Sequence, residues 1–356
     1  MWDKVGPKNW HRPLLLRPDN FTPPARTPWG GHRIVRGLKA DAGLRVTGPV
    51  GEAWELSVEP DFPSRLVEGP SLDEVLRSDP TLLGREANLG STALLVKLVD
   101  AQDDLSVQIH PRDGDPSLRP DESGKPEAWY IIEAEAGSGL YLGFRRGVSR
   151  VDVERALDEG SAVDELMYFV EVSAGDVFLI EPGTAHAIGK GVLLLEPQRV
   201  APGKRGITYR YWDWNRRYDS NGKPDADGKP RALHRERALQ VTNWNGPRER
   251  LLLDRIRHRA GPVSKSGAAT LEALVNKEGP LRSEVFFLER LSGSGTVDLS
   301  LGDRLHALTV LDGRLTLEWD GERLDVTSGQ TAALPASLAR ARIDLDCAHA
   351  VLCALA

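Results

Sequence analysis

Four residues in the middle of this 356-residue sequence have side chains that commonly bind divalent metals. They are two histidines, one glutamate and one glutamine: Gln108, His110, Glu127 and His186. Imidazole nitrogens suit zinc, and the oxygen donors also accept manganese, iron(II) or cobalt. The two histidines argue against an all-oxygen site for calcium or magnesium. The set therefore predicts a first-row divalent metal, with Zn²⁺ as the first choice.

The segment around Gln108 and His110 alternates in the manner of a β-strand. Val107 and Ile109 fall on one face and the two polar residues on the other, because side chains in a strand repeat every second residue. Pro111 has no backbone N–H, so it ends the strand just after the histidine. The two polar side chains are therefore expected to point the same way.

The other two candidate ligands stand beside strand and turn signals. Glu127 opens a β-rich run, and residues 176–180 form another. Pro182 and Gly183 suit the centre of a type II turn, whose second position needs a positive φ. This turn would redirect the chain toward His186. A lone histidine in a strand is more often structural than a ligand, so the prediction depends on the four residues together.

Three basic residues complete the chemistry of this half of the chain. Lys97 interrupts an apolar β run, so its ammonium either reaches the surface or points into a polar cavity. Arg210 lies on the face opposite Tyr209 and Tyr211, where a surface role is the ordinary alternative. Lys125 would bind substrate, or transfer a proton if burial and the metal lower its pKa.

Together these motifs resemble a known family. Gly175, Pro182, Gly183 and His186 match the second cupin motif. The whole combination resembles type I mannose-6-phosphate isomerases (phosphomannose isomerases) in their compact bacterial form, and it is carried by residues 106–111, 125–127, 182–186 and 209–213. The likeness covers most of residues 13–217.

The resemblance implies an aldose–ketose isomerase that interconverts mannose 6-phosphate and fructose 6-phosphate through an enediolate. It assigns Lys97 to the sugar phosphate and Arg210 to the active site. We predict that Arg210 and Lys125 each serve in catalysis and in substrate binding, although the residues leave open whether Lys125 transfers a proton. The general base is not identified by the sequence, and Glu196 and metal-bound water are the candidates. Asp213 is expected to hold Arg210 or a neighbouring ring, and Arg216 and Arg217 are expected to be solvated.

Two alternatives stay open at this point. One is a non-catalytic cupin that binds a sugar phosphate, and the other is a metal cupin enzyme that acts on another sugar or as an oxygenase. The three basic residues beside four metal ligands favour an enzyme. Residues 58–60 read Val-Glu-Pro where the family commonly has histidine-proline, and the C-terminal part diverges from the family. Both differences leave the identity of the sugar substrate open.

The expected fold is mainly β with a few short helices. A cupin (jelly-roll) barrel carries the metal site, and a second, degenerate cupin-like β domain follows. We divide the chain into an extended N-terminal arm (1–31), a catalytic domain (32–247) and a C-terminal β domain (248–356). Ser71 and Ser149 are predicted to cap helices, and Asp312-Gly313 is predicted to turn a hairpin.

The C-terminal domain is expected to lack a metal site. Residues 329–335 repeat the glycine-to-proline spacing of the first turn without a following histidine, so His306 and His349 are expected to be structural. The two cysteines, Cys347 and Cys353, lie in an apolar run and predict buried thiols, not a disulfide framework.

Composition excludes several classes of partner. The net charge of −6 offers no basic excess for nucleic acid. No apolar run approaches the roughly 20 residues that cross a bilayer, and no secretory leader is apparent. We therefore expect a cytoplasmic protein, monomeric or homodimeric, whose partner is a small sugar phosphate.

Overall fold

The computed structural model describes residues 9–67, 69–261 and 263–356, and most of the regular structure in them is β. In chain order the strands are β1 (Leu14–Leu15), β2 (Glu52–Leu56), β3 (Leu94–Asp100), β4 (Val107–Ile109), β5 (Glu122–Ser123), β6 (Glu127–Ala134), β7 (Gly139–Phe144), β8 (Met167–Glu171), β9 (Asp176–Ile180), β10 (His186–Ile188), β11 (Val192–Arg199), β12 (Arg205–Gly206), β13 (Tyr209–Trp212), β14 (Arg257–Arg259), β15 (Thr270–Asn276), β16 (Leu281–Arg282), β17 (Phe286–Ser300), β18 (His306–Trp319), β19 (Glu322–Thr327), β20 (Thr331–Leu334) and β21 (Arg340–Leu355).

The α-helices of the described residues are short. They are α1 (Leu72–Ser78), α2 (Arg150–Glu159), α3 (Arg235–Val241) and α4 (Arg250–Ile256). A π-helical turn covers Ile34–Leu38, and 3₁₀ turns cover Ala40–Ala42, Pro80–Leu83, Ala87–Leu89, Val163–Leu166 and Ala336–Leu338. The predicted mainly β class with a few short helices is confirmed. Within the described ranges, no helix has the length and apolar character needed to cross a membrane.

Both predicted helix caps form. The Ser71 hydroxyl accepts a hydrogen bond from the backbone N–H of Glu74, whose carboxylate binds the Ser71 N–H in return. Ser149 and Asp152 make the same reciprocal pair at the start of α2. Each pair satisfies backbone donors that the first helical turn leaves free. α3 and α4 were not predicted, and α4 lies in a stretch that was expected to be β.

Two antiparallel sheets form the barrel. The first has five strands in the order β13-β4-β10-β7-β8, and the second has six in the order β14-β9-β6-β11-β3-β2. Leu140 and Ile188 of the first sheet share one buried cluster with Trp129 and Leu194 of the second, so the two sheets face each other. Residues of α2 and α3 cover the other face of the five-stranded sheet.

The C-terminal half adds an eight-stranded sheet. Its order is β1-β20-β18-β21-β17-β15-β16, with β19 paired to β18. Strand β1 comes from the N-terminal segment and pairs with β20, where Leu14 lies opposite Ala333. Val351 and Cys353 of this sheet join the buried cluster of the barrel, so the two β-structures share a hydrophobic interface. The division at residues 31 and 247 stays a prediction.

The hairpin predicted at Asp312-Gly313 is wrong. Strand β18 runs straight through these residues, and the pairing of β18 with β21 shifts register on both sides of Asp312. Gly313 has a φ of 71°, and a Cβ there would lie 2.4 Å from the carbonyl oxygen of Cys347. The dipeptide therefore forms a bulge where two strands approach closely.

The hairpin turn forms instead at Asp320-Gly321. Both residues have a positive φ, of 45° and 83°, and the flanking residues Trp319 and Glu322 pair with each other. A two-residue turn with positive φ at both positions favours Asp-Gly. The same Asp-Gly dipeptide thus forms a bulge at one position and a hairpin turn at the other. At Asp312-Gly313 the pairing of β18 with the distant strand β21 prevents a turn.

The cysteine prediction is half right. Cys353 is buried as expected, whereas Cys347 is exposed. Cys347 has a φ of 47° and lies opposite the Gly313 bulge, where β21 bends. Both thiols are free, and the expected absence of a disulfide between them agrees with their different surroundings.

Candidate active site and metal centre

Three candidate residues form a row across the five-stranded sheet. In strand register, Gln108 of β4 lies opposite Arg210 of β13 on one side and His186 of β10 on the other. Opposed residues on neighbouring strands point to the same face. The pairing therefore gathers three side chains that are up to 102 residues apart in sequence (210 − 108) onto one surface.

The six-stranded sheet offers a second row. Lys97 of β3 lies opposite Trp54 of β2 and Glu196 of β11. Glu127, at the start of β6, lies opposite Gln198 of β11. A common polar cavity of about 220 Å³ is lined by two residues of the first row and four of the second: Gln108 and Arg210, and Trp54, Lys97, Glu196 and Gln198.

His110, Glu127 and His186 meet at the closed end of this arrangement. One donor atom from each lies within 4.8 Å of the others. The Nε2 atom of His110 is 3.1 Å from Glu127 Oε1, and that of His186 is 3.8 Å from Glu127 Oε2. All three side chains are at most 1% exposed. This buried group of two imidazoles and a carboxylate could hold one metal ion.

Backbone carbonyls fix both imidazoles for this role. His110 Nδ1 lies 3.0 Å from the carbonyl oxygen of Ile207, and His186 Nδ1 lies 2.9 Å from that of Thr184. If each Nδ1 carries the proton and donates it, each Nε2 has a free lone pair directed at the cluster. Second contacts of this kind orient histidine ligands in metal sites.

Unsatisfied polar atoms support the fit to a metal. Within the described residues, His110 Nε2 and Glu127 Oε2 are buried and lack a hydrogen-bond partner. Leaving such atoms unpaired costs free energy. A cation bound between them would satisfy both, so the residues present suit a divalent metal.

The protonation states also suit a metal. Burial, together with the neighbouring His110, lowers the pKa of His186 to about 3. Burial also lowers the pKa of His110. Burial alone would raise the pKa of Glu127, but its interactions with His110 and Lys125 outweigh burial and hold that pKa well below its usual range. Two neutral imidazoles and a carboxylate are the forms that bind metal.

Gln108 lies beside this cluster. Its amide nitrogen is 3.4 Å from His186 Nε2, and its amide oxygen is 3.5 Å from Ser106 Oγ. Because the two ends of an amide have nearly the same shape, a rotation of the side chain exchanges the oxygen and the nitrogen. The fourth candidate donor is therefore within reach of the three-residue group.

Gln198 was missed by sequence reasoning. Its side-chain nitrogen donates a 2.5 Å hydrogen bond to Glu127 Oε1, and the residue is fully buried. The signal that could have found it is alternation, because Glu196 and Gln198 are polar residues on one face of an otherwise apolar strand. Gln198 holds the carboxylate in place.

Lys125 contacts the carboxylate as well. Its Nζ atom is 3.0 Å from Glu127 Oε1, and its side chain is buried. Burial opposes the charged form, but the carboxylates of Glu127 and Glu196 outweigh it and raise the pKa of Lys125. Lys125 is therefore a cation in this arrangement. Gly206 makes room for it, since a Cβ there would lie 2.9 Å from Lys125 Cδ.

Lys97 points into the cavity and not toward bulk solvent. Its Nζ atom lies 4.1 Å from the centroid of the Trp54 ring and 3.9 Å from Glu52 Oε2. The side chain is only 7% exposed. A cation over an aromatic face is stabilised by the ring quadrupole, so the ammonium is held in place without a close ion pair.

Arg210 reaches the same cavity from the opposite sheet. Its Nε atom donates to Ser106 Oγ at 2.9 Å, and Nη1 donates to the Ala232 carbonyl at 3.0 Å. Burial, with the nearby charge of Arg231, lowers the pKa of Arg210 to about 10. The guanidinium therefore stays charged at neutral pH.

The role predicted for Asp213 is wrong. Its carboxylate binds Arg231 at 2.5 Å and Arg216 at 2.8 Å, and Arg210 makes its hydrogen bonds elsewhere. The prediction that Arg216 is solvated is wrong too, since only 15% of its side chain is exposed. Trp214 and Asn215, both with positive φ, form the turn that brings Arg216 back to the carboxylate.

Glu196 is the buried acid of the cavity. Its Oε1 atom accepts a hydrogen bond of 3.0 Å from Trp129 Nε1. Burial and the charge of Glu127 raise the pKa of Glu196 to about 8. A carboxyl group that exchanges its proton near neutral pH is the kind of group that general acid–base chemistry uses.

His306 and His349 lie outside this site. His306 Nδ1 is 3.1 Å from the carbonyl oxygen of Arg304, and His349 Nε2 is 2.8 Å from the Tyr130 hydroxyl. Of the residues that the structure describes, only the barrel group brings three or more candidate ligands together. The structural role predicted for both histidines agrees with these contacts.

Comparison with known proteins identifies relatives. Residues 25–138 match the family model "Phosphomannose isomerase type I, catalytic domain". The mannose-6-phosphate isomerase of Streptococcus mutans is 34% identical over 193 residues, 53% of this chain and 58% of that protein. That of Bacillus subtilis is 32% identical over 195 residues, with the same coverage. The chain thus spans little more than half the length of these curated relatives.

Solved structures extend the likeness of fold over nearly the whole chain. The mannose 6-phosphate isomerase of Bacillus subtilis superposes with a TM-score of 0.74 over 96% of this chain and 99% of that one, at 23% identity. The enzyme of Salmonella typhimurium, solved with its substrate and zinc, gives 0.65 over 97% and 99%, at 14% identity.

These matches confirm the predicted cupin fold and the predicted resemblance. Residues 25–138 match the model of the type I phosphomannose isomerase catalytic domain, and the chain has the fold of the mannose 6-phosphate isomerases with which it superposes.

Proposed function

We propose that this protein is a metal-dependent aldose–ketose isomerase that interconverts mannose 6-phosphate and fructose 6-phosphate. The observation that carries the proposal is one polar cavity in which Lys97, Lys125 and Arg210 stand beside a buried His-Glu-His group. A sugar phosphate is anionic, and its isomerisation creates further negative charge on oxygen. The cavity supplies fixed positive charge for both.

Zn²⁺ is the metal we propose, held by His110, Glu127 and His186 with Gln108 as the fourth donor. When bound, it stabilises negative charge on the sugar oxygens and orients the sugar hydroxyls. The zinc in the Salmonella typhimurium relative supports this choice. Other first-row divalent ions remain compatible with the donor set.

Arg210 and Lys97 have separate tasks in the proposal. Arg210 stabilises charge on the carbonyl oxygen, because its guanidinium is charged and is already oriented by Ser106 and the Ala232 carbonyl. Lys97 binds the phosphate as a point charge, because Lys97 lines the cavity and its ammonium is 3.9 Å from the carboxylate of Glu52, too far for a close ion pair.

The reaction moves one proton between neighbouring carbons. A base removes the proton from C2 of the aldose, the C–H electrons form the C1–C2 double bond, and the carbonyl π electrons move to O1. The hydroxyl proton passes from O2 to O1, and the carbon-bound proton returns at C1 as the C2 carbonyl forms. The base is Glu196 or metal-bound water, and Glu196 is favoured by its burial and by a pKa near neutral pH. We assign Lys125 to substrate binding and catalysis as a cation, since its contact with Glu127 raises its pKa.

We place the substrate among small sugar phosphates and the protein in the cytoplasm, where such substrates are made. The cavity of about 220 Å³ is lined mainly by charged and polar side chains, which suits a small anionic carbohydrate. The oligomeric state, monomer or homodimer, stays a prediction.

A direct assay tests the proposal. Purified protein loaded with Zn²⁺ is mixed with mannose 6-phosphate, and fructose 6-phosphate is measured over time. We expect turnover that disappears after chelation and returns when Zn²⁺ is added back. Binding of the sugar phosphate without turnover in the metal-loaded protein would instead support the non-catalytic alternative.

A further inference from the structure

A fully buried ion pair joins the C-terminal sheet to the wall of the cavity. Lys39 Nζ lies 2.7 Å from Glu55 Oε1, with side-chain exposures of 0% and 4%. Lys39 follows the π-helical turn, and Glu55 belongs to β2, the last strand of the six-stranded sheet. The proposed isomerase function gives this pair no role.

The pair is completed by the C-terminal half of the chain. Lys39 Nζ also donates to the Gly329 carbonyl at 2.5 Å, and Thr331 Oγ1 donates to Glu55 Oε2 at 2.9 Å. Thr331 is linked in turn to Thr309 at 3.0 Å. We call Lys39, Glu55, Thr331 and the Gly329 carbonyl the interdomain clamp.

The turn at Gly329 is shaped for this approach. Gly329 has a φ of 74°, and a Cβ there would lie 2.4 Å from the carbonyl oxygen of Leu38. Ser328 Oγ donates to the same carbonyl at 2.9 Å. The C-terminal sheet therefore docks directly onto the backbone beside Lys39.

Glu55 occupies a special position in its strand. In the pairing of β2 with β3, Trp54 lies opposite Lys97 and Leu56 lies opposite Val96, so Glu55 is the extra residue of a β-bulge. Bulges change the direction of the neighbouring side chains. The neighbour here is Trp54, whose ring supports the Lys97 ammonium at 4.1 Å.

We propose that Glu55 is a positioning residue: by bonding to Lys39 and Thr331 it fixes the bulge of β2 and so holds Trp54 against Lys97. The C-terminal sheet thereby sets the affinity of the cavity for the phosphate of its substrate. This inference rests on the proposed function only in naming Lys97 as the phosphate-binding group.

The physical reason lies in the energetics of buried ion pairs and of edge strands. A buried pair adds little net stability, because desolvation offsets its Coulomb attraction, but it can select one arrangement of the chain. Among the described residues, β2 forms a regular strand pair with β3 alone, and its other contacts are with irregular segments near Asn20 and Ser64. Such a strand opens more readily than a central strand.

The test compares two ion pairs at opposite edges of one sheet. Glu55→Gln keeps the shape of the clamp and removes its charge, and the double variant Lys39→Met/Glu55→Gln removes both charges, which protects folding. The matched control is Asp176→Asn/Arg257→Met, which removes a largely buried pair, exposed 5% and 9%, between β9 and β14 at the far edge.

For both clamp variants we expect KM for mannose 6-phosphate to rise about tenfold or more, with kcat and zinc content within about twofold of wild type. Amide hydrogen exchange over residues 52–56 should also accelerate. The control pair should leave KM and exchange in β2 unchanged. Unchanged KM in folded clamp variants, or an equal rise in the control, would overturn the inference.

The two readouts separate this inference from the proposed function. If the wild-type protein binds zinc but does not turn over mannose 6-phosphate, the proposed function fails. Hydrogen exchange in β2 still reports on the clamp in that case, because it needs no substrate. Exchange in β2 that is the same in wild type and both clamp variants would refute the positioning role by itself.

Discussion

The barrel and the C-terminal sheet are both built mainly from antiparallel strands but have different interiors. The barrel cavity admits charged and polar side chains from both of its sheets. The second buried cluster, within the C-terminal sheet, consists of leucine, isoleucine, valine and alanine. Both regions satisfy the backbone mainly by antiparallel pairing, so the placement of side chains distinguishes the site from the scaffold.

Buried histidines make this contrast quantitative. Burial lowers the pKa of His306 and of His349 to about 4, and that of His186 to about 3. The shifts are similar, yet only His186 shares a cluster with a second histidine and a carboxylate among the described residues. A lowered pKa of a histidine therefore indicates only that the ring is buried, whereas donor atoms that converge from several residues indicate a candidate metal site.

The largest expected effect tests that contrast directly. His110→Ala removes one of two imidazole donors, so we expect zinc binding to be lost and turnover to fall by about 10³-fold or more, because the metal supplies several kcal/mol of charge stabilisation. His306→Ala is the matched variant in the C-terminal sheet. Zinc content by mass spectrometry and the isomerase assay measure both. Stoichiometric zinc in the His110 variant would reject the ligand assignment.

The next effect distinguishes an arginine that lines the cavity from a partly buried arginine in the C-terminal half. Arg210→Ala is expected to lower kcat by about 10² to 10³-fold while zinc stays bound, which is the usual loss when one stabilising donor is removed. Arg304→Ala removes a partly buried arginine whose pKa is also lowered by burial, but which lies between β17 and β18 in the C-terminal half. Steady-state kinetics should show no change in kcat for this second variant.

A smaller effect is expected for Lys97. Lys97→Ala should raise KM for mannose 6-phosphate by about tenfold to a hundredfold, as expected for the loss of one charge-assisted contact with phosphate. Lys265, an exposed lysine paired with Asp312 in the C-terminal sheet, provides the control as Lys265→Ala. If phosphate affinity fell equally in both variants, long-range charge and not a local contact would explain it.

The pH dependence of stability should differ between the regions. The folded pKa of Glu196 is about 8, above its ordinary value of 4.5, so between pH 4.5 and about 8 the folded protein keeps this proton while the unfolded chain loses it. The stabilising contribution is therefore complete below pH 4.5, is lost across this window and is gone above about pH 8. Metal-free protein should lose up to about 1.4 kcal/mol per pH unit from this group in that window. Glu196→Gln removes this slope, which urea unfolding at several pH values measures. Glu289→Gln, at a less buried acid in β17 whose pKa is also raised, should change it less.

The smallest effect is confined to the scaffold. Gly321→Ala forces a residue with a side chain into the left-handed region and should cost about 1–2 kcal/mol of unfolding free energy. Zinc content and KM should not change, because this hairpin lies away from the interdomain clamp. Thermal unfolding and kinetics of the same preparation check both statements. A rise in KM would mean that strain anywhere in the C-terminal sheet reaches the cavity.

Local sequence was sufficient where the cause of a structure is local. The caps at Ser71 and Ser149 form because each serine hydroxyl accepts a hydrogen bond from the backbone N–H of an acidic residue three positions later. The carboxylate of that residue accepts one from the backbone N–H of the serine in return. The alternation of residues 105–110 correctly predicted that the side chains of Gln108 and His110 lie on the same face of the strand. Motif spacing, with the family resemblance, was enough to predict that the four candidate ligands lie together.

Other features depend on distant partners and escaped prediction. The Asp312-Gly313 hairpin failed because β21 pairs with both flanks of that dipeptide. Asp213 was expected to hold Arg210 or a neighbouring ring, but its carboxylate binds Arg231 and Arg216. Gln198 and the short helix α4 were missed because one carries a weak polar signal and the other is too short for clear periodicity.

The amino-acid sequence by itself determined which chemistry is available: imidazole, carboxylate and amide donors on strands, and three cations near them. Only the tertiary structure decided which of the buried charged groups share one cavity, which carboxylate holds which arginine, and that the C-terminal sheet reaches back to β2 through Lys39 and Glu55. The reason is physical. Strand alternation is set by neighbouring residues, whereas convergence depends on register between strands that lie far apart in the chain.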